Sequence, residues 1–317
     1  MSRLYLGVDG GQSSTTALIA DENGRIIGRG TGGPCNHVAA AEGRQKFRAA
    51  IGSCLQEACS EAGLEAARVH FAAACLGFSG GAEDKESYAR ELIRSEQYKI
   101  THDAEIALSG ATAGEPGIIV IAGTGSIAFG RNGRNVTARA GGWGYIFGDE
   151  GGAFDLVRQA LRAALRFEEG WGPPTTLLRS LIAVTGNSSA NQLLHRFYTE
   201  EFPRDRVARL APLVTEAAAK GDEVARKILR FAAMELALLA QGVHGPLFGD
   251  GEVVPVCYIG GVFQSETVRF HFAEAVLGKT GCKVAAPHYS PAVGAVIEAL
   301  YLDGNGSVLS GVPESEK

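Results

Sequence analysis

Two short runs of glycine and hydroxyl residues stand out in the chain: Asp9-Gly10-Gly11-Gln12-Ser13-Ser14-Thr15 and Ile121-Ala122-Gly123-Thr124-Gly125-Ser126. Each follows an apolar stretch of β character, so successive backbone N–H groups and Ser/Thr hydroxyls can converge on a phosphate. Asp9, at the strand end, can turn its carboxylate toward Mg²⁺. One such turn is equally a tight hairpin that is polar because turns are polar; two in one chain are harder to ascribe to accident. Neither is a Walker loop, since no Gly-Lys-Ser/Thr follows either turn. Neither is a dinucleotide fingerprint, because Gly123, Gly125 and Gly130 have the wrong spacing and Ser126-Ile127-Ala128-Phe129 alternates like a strand.

Between the two turns lies Thr101-His102-Asp103-Ala104, where strand gives way to helix. Asp103 there either caps the helix or offers its carboxylate as a general base to an acceptor hydroxyl; His102 reads as structural. The run Gly141-Gly142-Trp143-Gly144-Tyr145-Ile146-Phe147-Gly148-Asp149-Glu150-Gly151-Gly152 resembles no core element. Its glycines let backbone approach a ligand, Trp143 offers an apolar face, and Asp149 can accept hydrogen bonds from a polyol. Alternatively, Asp149 caps a helix that begins near Gly152. Asn36, in the loop after Gly33-Pro34-Cys35, supplies an amide with both donor and acceptor capacity. Gly260-Gly261 follows a buried strand, where it is either an ordinary strand-to-helix turn or a close approach for a nucleoside.

The elements that must position these residues come in a repeated order. Leu4 to Val8, Thr15 to Ala20 and Arg25 to Arg29 read as an antiparallel meander, with Asn23-Gly24 as a turn. A helix over 39–62, a buried strand over 69–76, a helix over 84–95, a short strand ending near Thr101 and a further helix follow. The meander then recurs as 117–122, 126–131 and 135–139, with Asn132-Gly133 as its hairpin turn. Such a repeat predicts two similar lobes with a cleft between them. Residues 151–245 are nearly all helical in pattern, strand signal returns over 253–259 and 283–286, helices cover 265–277 and 292–302, and the tail after Asp303 looks frayed.

Composition narrows the function classes. The 317 residues carry a formal charge of −5, with 45% hydrophobic and 21% charged residues, values of an ordinary globular chain without the basic field that draws nucleic acid. No apolar run approaches the roughly 18 residues a membrane span needs, so the expectation is a cytoplasmic protein with no membrane partner. The six cysteines contain no Cys-x-x-Cys pair and read as reduced, buried thiols. Glycine is the outlier: 43 of 317 residues is about 14%, roughly twice the usual share.

Taken in order, Val8-Asp9-Gly10-Gly11, Gly33-Pro34-Cys35-Asn36-His37, Thr101-His102-Asp103-Ala104, Ala122-Gly123-Thr124-Gly125-Ser126, Gly142-Trp143-Gly144, Gly148-Asp149-Glu150-Gly151 and Gly260-Gly261-Val262 resemble the sugar kinase, actin and heat-shock ATPase superfamily. Within it they resemble the BadF/BadG/BcrA/BcrD ATPase group, over Leu4 to about Leu302. The resemblance implies an α/β fold of two ribonuclease H-like, actin-like lobes: 1–113, then 114–290 with a helical insertion at about 151–245. The last segment, 291–317, returns to the first lobe. It implies ATP and Mg²⁺ as cofactors, a homodimer, and transfer of the γ-phosphoryl group to the 6-hydroxyl of N-acetylglucosamine, with other amino sugars as alternatives. By motif, Gly10, Gly11, Gln12 and Ser13 hold phosphates, Asp9 faces Mg²⁺ through water, and Thr124 and Gly125 clamp the nucleotide. Asp103 is the base; Asn36, Gly142, Trp143, Gly144 and Asp149 bind the sugar; Gly260, Gly261 and Ala218 meet the adenosine. Gln12 departs from the pattern, standing where several relatives have glycine. Two other classes fit less well. An electron-transfer activator of dehydratases needs cysteine-held iron and sulfur that the second turn lacks, and a sugar sensor acting on DNA needs a basic patch or helix-turn-helix that is not legible here.

Overall fold

The computed structural model describes residues 3–11, 13–35, 41–79, 85–249 and 251–317. Gln12, Asn36 and His37 of the expected site lie outside them. The chain divides into two compact units, one of Met1–Pro116 with Ala286–Lys317 and one of Gly117–Ala285.

In the first unit, β1 (Tyr5–Gly10), β2 (Thr15–Ala20) and β3 (Ile26–Gly32) form the expected meander, followed by α1 (Ala41–Glu61), β4 (Phe71–Phe78), α2 (Glu86–Leu92), β5 (Ser95–His102) and α3 (Asp103–Ala111). The sheet order is β3-β2-β1-β4-β5, with β1 antiparallel to β2 and parallel to β4, and β4 parallel to β5. Both faces of the sheet must be covered, which is why β4, Phe71 to Phe78, is apolar and buried at every position.

The second unit repeats the plan. β6 (Gly117–Ala122), β7 (Ser126–Arg131) and β8 (Thr137–Gly141) form the meander; six helices follow, α4 (Ala153–Glu168), α5 (Leu177–Thr185), α6 (Ala190–Phe197), α7 (Arg204–Ala208), α8 (Pro212–Ala219) and α9 (Glu223–Leu247). Then come β9 (Pro255–Ile259), α10 (Glu266–Thr280) and β10 (Lys283–Ala285), giving the order β8-β7-β6-β9-β10, the same as in the first unit. The last helix, α11 (Pro291–Leu302), belongs to the first unit. The helix-rich stretch is more divided than its pattern suggests, because α7 and α8 are short and separated only by Arg209–Ala211.

The glycine excess has a structural use. Gly28, Gly30 and Gly32 share one face of β3, and a Cβ on them would meet the carbonyl oxygens of Ala58, Cys54 and Ala50 in α1 at 2.2, 2.0 and 2.3 Å. Every second strand residue advances about 6.6 Å and every fourth helix residue about 6 Å, so the two backbones run in step only where the strand has no side chains. The crossing of α3 and α11 is built likewise, since a Cβ on Gly294 would lie 1.9 Å from the Ile106 carbonyl oxygen. Beside it, Glu298 of α11, 3% exposed, takes Lys99 Nζ of β5 at 2.5 Å and the Ser109 hydroxyl of α3. We expect Gly30→Ala to cost about 1–3 kcal/mol by overpacking. Gly52→Ala, in the interior of α1 with open space around the new methyl, should instead gain up to about 1 kcal/mol from helix propensity. Urea melts of the two variants check both signs.

Two local expectations are corrected. The tail is docked: Ile26 N–H donates to the Ser310 carbonyl at 2.9 Å, and buried Glu316 accepts from Arg29 Nε at 2.8 Å and Ser290 Oγ at 2.6 Å. A short polar segment looks frayed in sequence because its partners are backbone and a distant ion pair. The hairpin after β7 is not a two-residue Asn-Gly turn. The Asn132 side-chain oxygen accepts from the N–H groups of Arg134 and Val136, Asn135 takes the left-handed conformation at φ 58°, and β8 starts two residues later than expected.

Candidate active site

In the first unit the three parallel strands end together. Gly10 of β1 pairs with Phe78 of β4, and Phe78 with His102 of β5, so the residues just beyond them share one edge of the sheet. Carboxyl ends of parallel strands are where α/β folds bind ligands, because loops and helix starts converge there. Asp9 sits one residue before the end of β1, Ser79 just after β4, and Asp103 opens α3. The phosphate-type turn closes on itself through Gly11 N–H to Ser14 O at 3.0 Å and holds the next loop through Cys35 N–H to Gly11 O at 3.0 Å. Ser13 is exposed and Thr15 is buried, its hydroxyl donating to the Gly33 carbonyl at 2.7 Å. Gly10 must lack a side chain here, because the Phe78 ring comes within 2.3 Å of where its Cβ would lie.

Asp103 does not cap α3. His102 does, its Nδ1 accepting from the Glu105 N–H at 3.2 Å, in keeping with a structural reading of that residue. The half-buried Asp103 carboxylate is instead held by Ser79, whose hydroxyl donates to Oδ2 at 2.6 Å while its N–H donates to the Gly10 carbonyl at 3.2 Å. Ser79 is itself fixed from behind by the fully buried Lys85, whose ammonium donates to the Ser79 carbonyl at 3.2 Å and lies 5.7 Å from the centre of the Phe78 ring. The sequence reading missed Ser79; its one signal is a hydroxyl directly after a buried strand and before two glycines.

Asp9 has the most perturbed carboxyl at this edge. Burial raises it from the ordinary carboxylate range to about 7, and the charges of Asp103 and Glu316 push the same way. A half-buried carboxylate with like charges around it is a place for a cation. No cluster of three metal-ligating side chains occurs among the described residues.

In the second unit the turn after β6 is built into the start of α4. Gly123 N–H bonds the Gly125 carbonyl at 3.0 Å, and the first N–H groups of α4, from Ala153 and Phe154, donate to the carbonyls of Gly123 and Thr124 at 2.8 and 3.1 Å. Gly260 follows β9 beside this turn in a glycine-only conformation, φ 114°, where a Cβ would lie 2.3 Å from the Ala122 carbonyl oxygen. Gly261 then lines a cavity of about 520 Å³ with Val262, Ser265, Leu156, Pro212 and Thr215. Ala218 is not in that lining; it is buried in the helical core, its carbonyl accepting from Arg226 Nε at 3.1 Å. The α8 residues that do face the cavity, Pro212, Thr215 and Glu216, come two to six residues earlier. A larger hollow, about 860 Å³, opens between the ends of α4, α5 and α8 and touches none of the expected site residues.

The glycine and aromatic run does not behave as one unit. Gly141, Gly142 and Gly144 all take positive φ, from 72° to 80°. Trp143 is 65% exposed with the Arg139 guanidinium 4.9 Å from its ring centre, and Ile146 and Phe147 are exposed beside it. Asp149 is buried at φ 63° and caps nothing, for the N-cap of α4 is Gly152 without a side-chain bond. Its Oδ2 receives Arg204 Nη2 from α7 and its Oδ1 faces the Ser126 N–H at 3.4 Å. Arg204 went unnoticed in the sequence, where a lone arginine among several in a helical stretch carries no signal.

With this geometry in place, comparison with known proteins gives the class. A sequence profile of the BadF/BadG/BcrA/BcrD ATPase family matches residues 6–299, and the chain belongs to that family. It is 33% identical over 269 residues to an N-acetylmuramic acid/N-acetylglucosamine kinase of Clostridium acetobutylicum, covering 83% of this chain and 86% of the relative. It is 30% identical to an N-acetyl-D-glucosamine kinase of Dictyostelium discoideum, covering 94% of this chain and 98% of the relative. A crystal structure from Chromobacterium violaceum, described as a candidate N-acetylglucosamine kinase, superposes with a TM-score of 0.75 at 28% identity over 93% of this chain and 98% of that one. The chain is an ATP-dependent kinase by family and fold.

Proposed function

We propose that this protein transfers the γ-phosphoryl group of ATP to the 6-hydroxyl of N-acetylglucosamine, as the names of its relatives in Clostridium and Dictyostelium suggest. The observation that carries the chemistry is the Asp103 carboxylate. It is released from capping by His102, oriented by Ser79, and set at the strand edge that also bears Asp9 and the first glycine turn. Asp103 takes the proton of the attacking hydroxyl, a role worth about 10²–10⁴ in rate. Gly10, Gly11, Gln12, Ser13, Thr124 and Gly125 meet the phosphates. Asp9 would help hold Mg²⁺, and the ion would supply charge neutralisation for the phosphoryl oxygens. Gly260, Gly261 and the cavity beyond them receive the nucleoside, while Asn36, the Gly142-Trp143-Gly144 segment and Asp149 meet the sugar. No helix among the described residues is long and apolar enough to cross a membrane; with ATP as cosubstrate we place the enzyme in the cytoplasm, as a homodimer.

The test is ADP release over a panel of N-acetylglucosamine, glucosamine, N-acetylmannosamine, N-acetylmuramate and glucose. N-acetylglucosamine should show the highest kcat/KM. A silent panel, or a clear preference for an unacetylated sugar, would reject the proposal.

A further inference from the structure

The second unit holds two buried side-chain atoms that have no hydrogen-bond partner among the described residues, Arg204 Nε and Ser265 Oγ. Ser265 lines the 520 Å³ cavity beyond Gly261, and Arg204 opens α7, whose last residue, Ala208, lines the same cavity with Arg209. At its other end Arg204 reaches the second glycine turn: a Cβ on Gly125 would lie 2.6 Å from Nη2. Thus α7 spans from the nucleoside cavity to the turn and presents a guanidinium there.

Neither glycine turn contains a lysine or arginine of its own. Backbone N–H groups and hydroxyls alone leave the charge of a triphosphate largely to the metal, whereas kinases and related enzymes add a fixed cation at the developing charge. We infer that Arg204 is that cation, donating to phosphate oxygens of ATP at Gly123–Gly125, and that Asp149 holds its guanidinium in position. The arrangement supports this in three ways. Nη2 is bound to a nearly buried carboxylate, the Tyr145 ring centre lies 5.4 Å from the guanidinium carbon, and the side chain is still 36% exposed. Its Nε meanwhile forgoes a bond that an arriving oxygen would let it regain by a small rotation. Asp149 then has a second task besides any contact with sugar, and its left-handed backbone serves to bring the carboxylate under the arginine.

This inference rests on the kinase reading, so its test measures nucleotide binding directly, without sugar. In calorimetric titrations Arg204→Gln should weaken MgATP binding about 10- to 100-fold and leave adenosine binding unchanged. Arg204→Lys, which keeps the charge but not the fork, should fall between. In turnover assays the KM for ATP should rise by a like factor while the sugar KM stays within about threefold. Unchanged MgATP affinity in both variants would overturn the assignment. So would equal losses for MgATP and adenosine with a lowered melting temperature, the signature of an ion pair that only braces α7. Wild type that binds MgATP yet phosphorylates no sugar would defeat the kinase reading and leave this one standing.

Discussion

Asp103→Asn is expected to lower kcat by at least about 10²-fold while the KM for sugar and for ATP stays within about threefold. Asparagine has nearly the same shape, its amide oxygen can still accept the Ser79 hydroxyl at the 2.6 Å position, and the cap of α3 is untouched because it comes from His102. What is lost is the ability to take a proton. An alcohol attacking a phosphoryl group must shed its proton at or after the transition state, and a neutral amide cannot receive it. Binding measured by the sugar's effect on intrinsic tryptophan fluorescence or by calorimetry should therefore persist where turnover collapses. A variant with near-normal kcat would remove Asp103 from the chemistry and leave it a structural partner of Ser79. A fall in kcat accompanied by an equal loss of sugar affinity would point to positioning. Removing the charge also takes away one of the like charges that raise Asp9, so the variant should fold at least as stably as wild type above neutral pH.

How far the chain is legible follows from where its information lies. Buried strands are written locally: Gly117–Ala122 and Ser126–Arg131 coincide with their apolar and alternating runs, and the doubled meander forecasts the doubled sheet order. The two glycine turns are visible in the sequence because their glycine and hydroxyl residues are consecutive. Arrangements made by residues far apart are not. That His102 rather than Asp103 caps α3 depends on which of two adjacent side chains folds back, and Asp103 bonds instead to Ser79, the residue after β4. Asp149 looks like a cap or a polyol ligand in sequence, and only the fold shows that Arg204, 55 residues on, meets it. The surplus of glycine was conspicuous, yet its use in β3 appears only when α1 is laid across it. Ala218 lies in the helical core a few residues along α8 from those that line the cavity, a difference that no motif displays.

Asp9→Asn should raise stability and abolish function, with the stability gain confined to one side of neutrality. The Asp9 carboxyl is raised from the ordinary 3.8 to about 7 in the folded protein, by burial first and then by Asp103 and Glu316. The native state therefore holds a proton that the unfolded chain has released between about pH 4 and 7, and stability falls as pH rises through that window. The favourable contribution is complete below about pH 4 and gone above about 7, where the folded protein carries an unwelcome carboxylate. Asparagine carries no such charge. Thermal melts should show Asp9→Asn a few degrees more stable than wild type at pH 8 and equal to it at pH 4. Turnover should fall at least about 10²-fold, since a charge kept at a cost to folding serves the cation and the phosphates. The cosubstrate should reverse the order: MgATP restores to wild type the counter-charge that Asp9 lacks, so it should raise the melting temperature of wild type more than that of the variant. Melting curves that coincide at pH 8, or a variant that keeps its turnover, would show that the charge on Asp9 is not held for the metal.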